Sequence, residues 1–282
     1  MFAHGDRLVL GPNETGPANL WIVLGASSLP VDSTAYVIAV VTATFLLAGC
    51  VKGVVGMGLP IVAMGLLGAV MAPLQAASLL IVPSLVTNLW QMVAGPDLRV
   101  LSRRFASMMA TVCVGAFLGI GLLTGASTNI AAGALGAVLA LYALVGLYAP
   151  RFHVRPQIEP WLSPVVGLVT GIVTGATGVF AIPAVPYFNS LNLEKEDLIQ
   201  VLGISFTVST IALALALAVN GQFQARTAWI SLLAVVPALA GMYVGQHIRG
   251  RLQPELFRRW FLLGLLVLGA YMVMRAFAGA HA

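Results

Sequence analysis

One lysine carries the only charge that the sequence places well inside an apolar run. Lys52 sits in GCVKGVVG, among Gly49, Gly53 and Gly56. A lysine at membrane depth costs about 2.5–3.5 kcal/mol on insertion scales. An anion about 4 Å away, at an effective dielectric near 20, offers about 4 kcal/mol of attraction. The two magnitudes match, so Lys52 reads as the positive contact for a small bound anion. The plainer reading makes it a side chain that snorkels to a loop or bonds helix-end carbonyls.

The same glycine spacing recurs 122 positions later as GIVTGATG, Gly171 to Gly178, with Thr174 where the first copy has Lys52. Glycine is disfavoured in helix interiors by about 1 kcal/mol relative to alanine. Its repetition therefore points to close backbone packing or to helices broken near a substrate. Thr170, Thr174 and Thr177 could donate to an oxyanion, and a helix broken at Gly175 or Gly178 could aim N–H groups at it. Equally, each threonine could bond its own helix backbone. Asn88 and Gln91, with Ser84 and Thr87, form a polar stripe at helical spacing; Ser205, Thr207, Ser209 and Thr210 occupy the related run of the second half. Such residues contact substrate or join helices. The candidate anion site is Lys52, Gly49, Gly53, Gly56, Asn88, Gln91, Thr174, Gly175, Thr177 and Gly178.

Other chemistries lack their residues. None of the nine acids lies in the middle of an apolar run, and the four histidines lie at ends and in loops. No carboxylate relay, metal site or cofactor is expected, and no catalytic pair accompanies Lys52. Cys50 and Cys113 imply no disulfide framework. The glycines lack the GK[ST] of a phosphate loop.

The elements that must position these residues are membrane helices. The chain has 282 residues, 60% hydrophobic and 8% charged, against roughly 25% charged in soluble domains. The net charge of +5 reports loop arginines rather than nucleic-acid binding. Apolar runs fall at 33–57, 59–71, 75–95, 103–124, 129–149, 163–180, 181–191, 197–220, 227–248 and 256–277. The order repeats: a glycine-interrupted helix, a short proline-marked segment, then three ordinary spans. The expected fold is an all-α polytopic membrane protein with two inverted repeats and about 8–10 membrane segments. The expected parts are an N-terminal extracytoplasmic segment 1–32, a first repeat 33–149, a cytoplasmic linker 150–162 and a second repeat 163–282. Residues 1–32 read as a surface-lying segment rather than a signal peptide.

Charge sets the orientation. If each broken helix and its short partner return to the side they started from, the loops near 96–104, 150–162, 191–197 and 249–259 share one side. That side holds Arg99, Arg103, Arg104, Arg151, Arg155, Lys195, Arg249, Arg251, Arg258 and Arg259; the other holds Arg7, Arg226 and Arg275. The richer side is cytoplasmic, and both termini face outward. An odd number of crossings per half makes the halves opposite in direction.

GCVKGVVGMGLPIVAMGLL at 49–67 and GLVTGIVTGATGVFAIPAVPYF at 167–188, with the duplicated order and the pairs Gly115/Gly119 and Gly241/Gly245, resemble the TauE/SafE family of sulfite and organosulfonate exporters. The resemblance covers roughly 35–277 and implies export of a small sulfur-containing or carboxylate anion across a bacterial inner membrane. The partners expected are that anion and the lipid bilayer, with no nucleic acid; a homodimer is compatible with the pattern. A secondary carrier with its site at the midplane between repeats is the leading reading. An anion channel, and an intramembrane enzyme, are the alternatives.

Overall fold

The computed structural model describes residues 32–148, 153–222, 225–250 and 253–278, which form twelve helices and no strand. They are α1 (Asp32–Val55), α2 (Leu59–Val70), α3 (Pro73–Val93), α4 (Leu98–Arg104), α5 (Ala106–Gly125), α6 (Thr128–Tyr148), α7 (Glu159–Thr177), α8 (Ala184–Asn189), α9 (Lys195–Val219), α10 (Ala225–Leu233), α11 (Val235–Ile248) and α12 (Pro254–Ala278). Of the expected N-terminal segment, 1–31 lie outside the described residues. So do 149 at the end of the first repeat and 150–152 of the linker, whose last four residues, 159–162, belong to α7. Pro160 at the start of α7 suits that early onset, since the missing N–H of proline has no helical partner there anyway.

Crossing a core of about 30 Å takes about 20 apolar residues. Eight stretches qualify: α1, α3, α5, α6, α7, α9, α12 and the run Trp229–Ile248 through α10 and α11. The chain is thus an all-α polytopic membrane protein. Helices α2 and α8, of 12 and 6 residues, are too short to span. Their backbone ends are tolerable at depth only where protein covers them. Leu59, Ala63, Met64 and Leu67 of α2, and Ala184 and Phe188 of α8, are accordingly fully buried.

Each glycine motif does two jobs. Its third member ends the helix: Gly56 and Gly178 have φ of +83° and +74°, and their amides donate to the carbonyls of Lys52 and Thr174, both at 2.8 Å. Left-handed backbone of this kind costs glycine little. Its first two members stay helical and pack against a helix of the other half. A Cβ on Gly49 would meet Ala238 O and Met242 N of α11; one on Gly171 would meet Val112 O and Ala116 N of α5. A Cβ on Gly53 would meet Met242 O and Gln246 N; one on Gly175 would meet Ala116 O and Ile120 N. Shifting the first set by 122 on α1 and 126 on α11 gives the second set. The facing glycines are Gly241 and Gly245, and Gly115 and Gly119. Exchange of the halves also keeps the other main pairings, α3 with α9 and α6 with α12.

Three of the arginine-rich loops, near 96–104, 150–162 and 191–197, gather at one end in their described parts. Arg104 donates to Glu159 as a fork, Nε to Oε1 at 2.6 Å and Nη2 to Oε2 at 2.7 Å. The hydrogen bond to Glu159 raises the Arg104 pKa, against the opposing effect of burial. Nearby, the Val154 amide donates to Ser190 O. At the same end Gln200, near the start of α9, donates to Met92 O and Gly95 O at the finish of α3 and accepts from the Asp97 amide.

Candidate functional site

The site begins with a proline. Pro83 lies inside α3 and has no N–H to give Leu79 O. The Ser231 hydroxyl of α10 donates to that carbonyl at 2.6 Å and accepts from the Val82 amide at 3.2 Å. One turn later α3 presents Thr87, Asn88 and Gln91, all buried. Gly203 of α9 lets the two helices touch there, because its missing Cβ would lie 2.6 Å from the Met92 amide.

Lys52 points into this face from the last turn of α1 and is 4% exposed. Its Nζ donates to Thr87 Oγ1 at 3.2 Å and to Asn88 Oδ1. The Thr87 hydroxyl passes its own proton to Pro83 O at 2.9 Å. An ammonium has three donors, so these two bonds leave one free. Among the described residues the only ion pair joins Arg104 to Glu159, so Lys52 has no carboxylate partner there.

Among the described residues, five buried side-chain polar atoms have no hydrogen-bond partner: Ser84 Oγ, Asn88 Nδ2 and Gln91 Oε1 on α3, and Ser205 Oγ and Ser209 Oγ on α9. Leaving such a group unpaired costs about 1–3 kcal/mol each. Their concentration on two packed helices, one of which holds Lys52 through Thr87 and Asn88, suits a polar guest. Four of the five can donate; Gln91 Oε1 only accepts, its Nε2 being engaged with Ile199 O at 2.8 Å. Donors that outnumber acceptors around a cation fit an oxyanion.

A cavity of about 270 Å³ runs from Lys52, Thr87 and Gln91 to the exposed Glu196 and Gln246, past Arg249. It lies just below the usual ligand-pocket range of about 300–1,000 Å³, which suits a small guest. Its open side is the arginine-rich end.

The structure brings Lys52, Gly53, Gly56 and Gln91 to this cavity, with Asn88 bonded to Lys52. Gly49 is a helix-packing position. Thr174, Gly175, Thr177 and Gly178 do not line the cavity: Gly175 packs on α5, and Gly178 faces Met64 and Ala77. The hydroxyls of Thr170, Thr174 and Thr177 donate to the carbonyls of Val166, Thr170 and Val173, so each proton is spent on its own helix. Sequence reasoning passed over Gln200, Ser231, Gln246 and the position of Arg249. A glutamine in the second turn of an apolar span was the one visible signal; nothing local marks Ser231 as the partner of a proline on another helix.

The family model for the sulfite exporter TauE/SafE matches residues 41–272. No curated protein and no solved structure gives a significant match.

Proposed function

The chain belongs to the sulfite exporter TauE/SafE family, and from that premise we propose that it is a carrier moving a small sulfite-like, sulfonate or carboxylate anion outward across the bacterial inner membrane. The observation that carries the substrate side is the buried Lys52, without a carboxylate partner among the described residues and bonded to Asn88 of α3, a helix that with its neighbour α9 carries partnerless polar atoms. In this reading Lys52 supplies the charge, Asn88 holds it, and Ser84, Asn88 and Ser205 donate to the anion's oxygens.

The arginine-rich end is cytoplasmic by the charge rule, so the cavity faces the cytoplasm and both termini lie outside. The two halves act as inverted repeats. Support comes from the interchange of glycine contacts and from Gln200, which ties the start of α9 to the finish of α3, its counterpart. A cavity open at one end only favours a carrier over a continuous pore. An inside-negative potential of 100 mV favours exit of each negative charge by about 2.3 kcal/mol, so export needs no carboxylate relay.

The test is counterflow in proteoliposomes. Vesicles loaded with unlabelled sulfite, a short sulfonate or a short carboxylate should accumulate the labelled anion transiently, with saturation. Flux that rises linearly with concentration and shows no counterflow would favour a channel instead.

A further inference from the structure

We propose that the extracytoplasmic half of the transport path is the closed counterpart of the Lys52 cavity, lined by Thr174, Ser209, Ala212, Ala216 and Ile120. The inference rests on the carrier reading above and adds the residues of a route that is shut in this structure. It comes from a broken symmetry. The glycine contacts of α1 on α11 reappear, residue for residue, as those of α7 on α5. The helices of the two halves therefore share one packing plan. The cavity does not share it.

Those contacts give shifts of 122 for α1 and α7 and 126 for α5 and α11, and the starts of α3 and α9, Pro73 and Lys195, also stand 122 apart, so counterparts of the lining residues follow. Lys52 maps to Thr174, Thr87 to Ser209, Trp90 to Ala212, Ala94 to Ala216 and Gln246 to Ile120. The originals surround about 270 Å³ of open space. These five counterparts are 0–5% exposed. One sequence plan thus holds two arrangements at once, open at the arginine-rich end and shut at the other. Packed helix pairs with two such arrangements exchange them as bodies. When they do, the path opens along the counterpart residues.

An independent sign is chemical. Ser209 Oγ lies fully buried with no hydrogen-bond partner, at the position that answers to Thr87. The counterpart route also replaces every charge of the cavity: Glu196 maps to Leu74, Arg249 to Leu123 and Lys52 to Thr174. An anion therefore leaves past the free Ser209 hydroxyl and uncharged, mostly apolar side chains. Weak contact on the exit side is what release requires.

The experiment uses the full chain with Cys50 and Cys113 replaced by alanine, in right-side-out vesicles treated with a membrane-impermeant thiol reagent from outside. The probes are Ser209→Cys, nearly the same size as serine, and Ala216→Cys as a second. Gly221→Cys gives the rate of a freely exposed thiol, and Leu215→Cys reports a neighbouring exposed face of the same helix. A minor state populated at about 0.1–10% should let the two probes react at that fraction of the Gly221→Cys rate, while Leu215→Cys stays inert. Modified Ser209→Cys protein should lose anion flux. If flux is present and both probes stay unreactive while Gly221→Cys reacts, the proposed route is wrong. If the probes react but no sulfite, sulfonate or carboxylate flux is found in the unmodified chain, the route stands and the anion-carrier reading fails.

Discussion

At the scale of residues, the account turns on a buried ammonium whose partners are neutral. Thr87 and Asn88 fix Lys52 without cancelling its charge. Replacing Asn88 by aspartate keeps the shape and gives Lys52 a partner of opposite charge. The Asn88→Asp chain should fold at least as well, since the ammonium gains an ion pair. It should bind anion at least about tenfold more weakly, a loss of about 1.4 kcal/mol. Titration of thermal stability with sulfite or a sulfonate measures this. An unchanged affinity would place the anion elsewhere. The sequence made Lys52 legible because a charge in an apolar run stands out. It did not reveal the role of Thr174, whose hydroxyl is spent on Thr170 O. A helical threonine has the same sequence signature whether it faces a ligand or its own backbone.

At the scale of elements, the duplicated glycines were visible, and so was the order of long and short helices. The division of labour within each motif was not. Gly56 and Gly178 end helices, while Gly49, Gly53, Gly171 and Gly175 meet backbone of the opposite half. That difference depends on which helix arrives from far along the chain. The same holds for Pro83, whose unmet acceptor Leu79 O is satisfied by Ser231, about 150 residues away. Ser231→Ala should cost about 1–3 kcal/mol, the price of an unpaired buried carbonyl. In a Pro83→Ala background the helix supplies its own N–H to Leu79 O. There the further Ser231→Ala change should cost much less. Equal costs in both backgrounds, measured by thermal unfolding, would show that Ser231 does not serve this carbonyl.

At the scale of the whole molecule, composition alone pointed to a polytopic α-helical fold, and eight stretches long and apolar enough to span bear it out. The arginine count grouped four loops on one side. The Arg104–Glu159 fork, the Val154–Ser190 bond and the cavity shared by Gly95, Glu196 and Arg249 put the described parts of three of them, 96–104, 150–162 and 191–197, together with Arg249 at the head of the fourth, at one end of the molecule. If that end is cytoplasmic, thiols introduced as Arg103→Cys and Arg155→Cys react with an impermeant reagent only from the cytoplasmic side, and Gly125→Cys only from outside. The reverse pattern would turn the cavity outward and remove the case for export. The central claim, that this molecule moves an anion by way of Lys52, is tested most directly by flux in proteoliposomes at matched protein level. The comparison is wild type, Lys52→Arg and Lys52→Met with sulfite, a sulfonate and a carboxylate. The account predicts loss of saturable flux in Lys52→Met and partial retention in Lys52→Arg. Flux in Lys52→Met equal to wild type would contradict it.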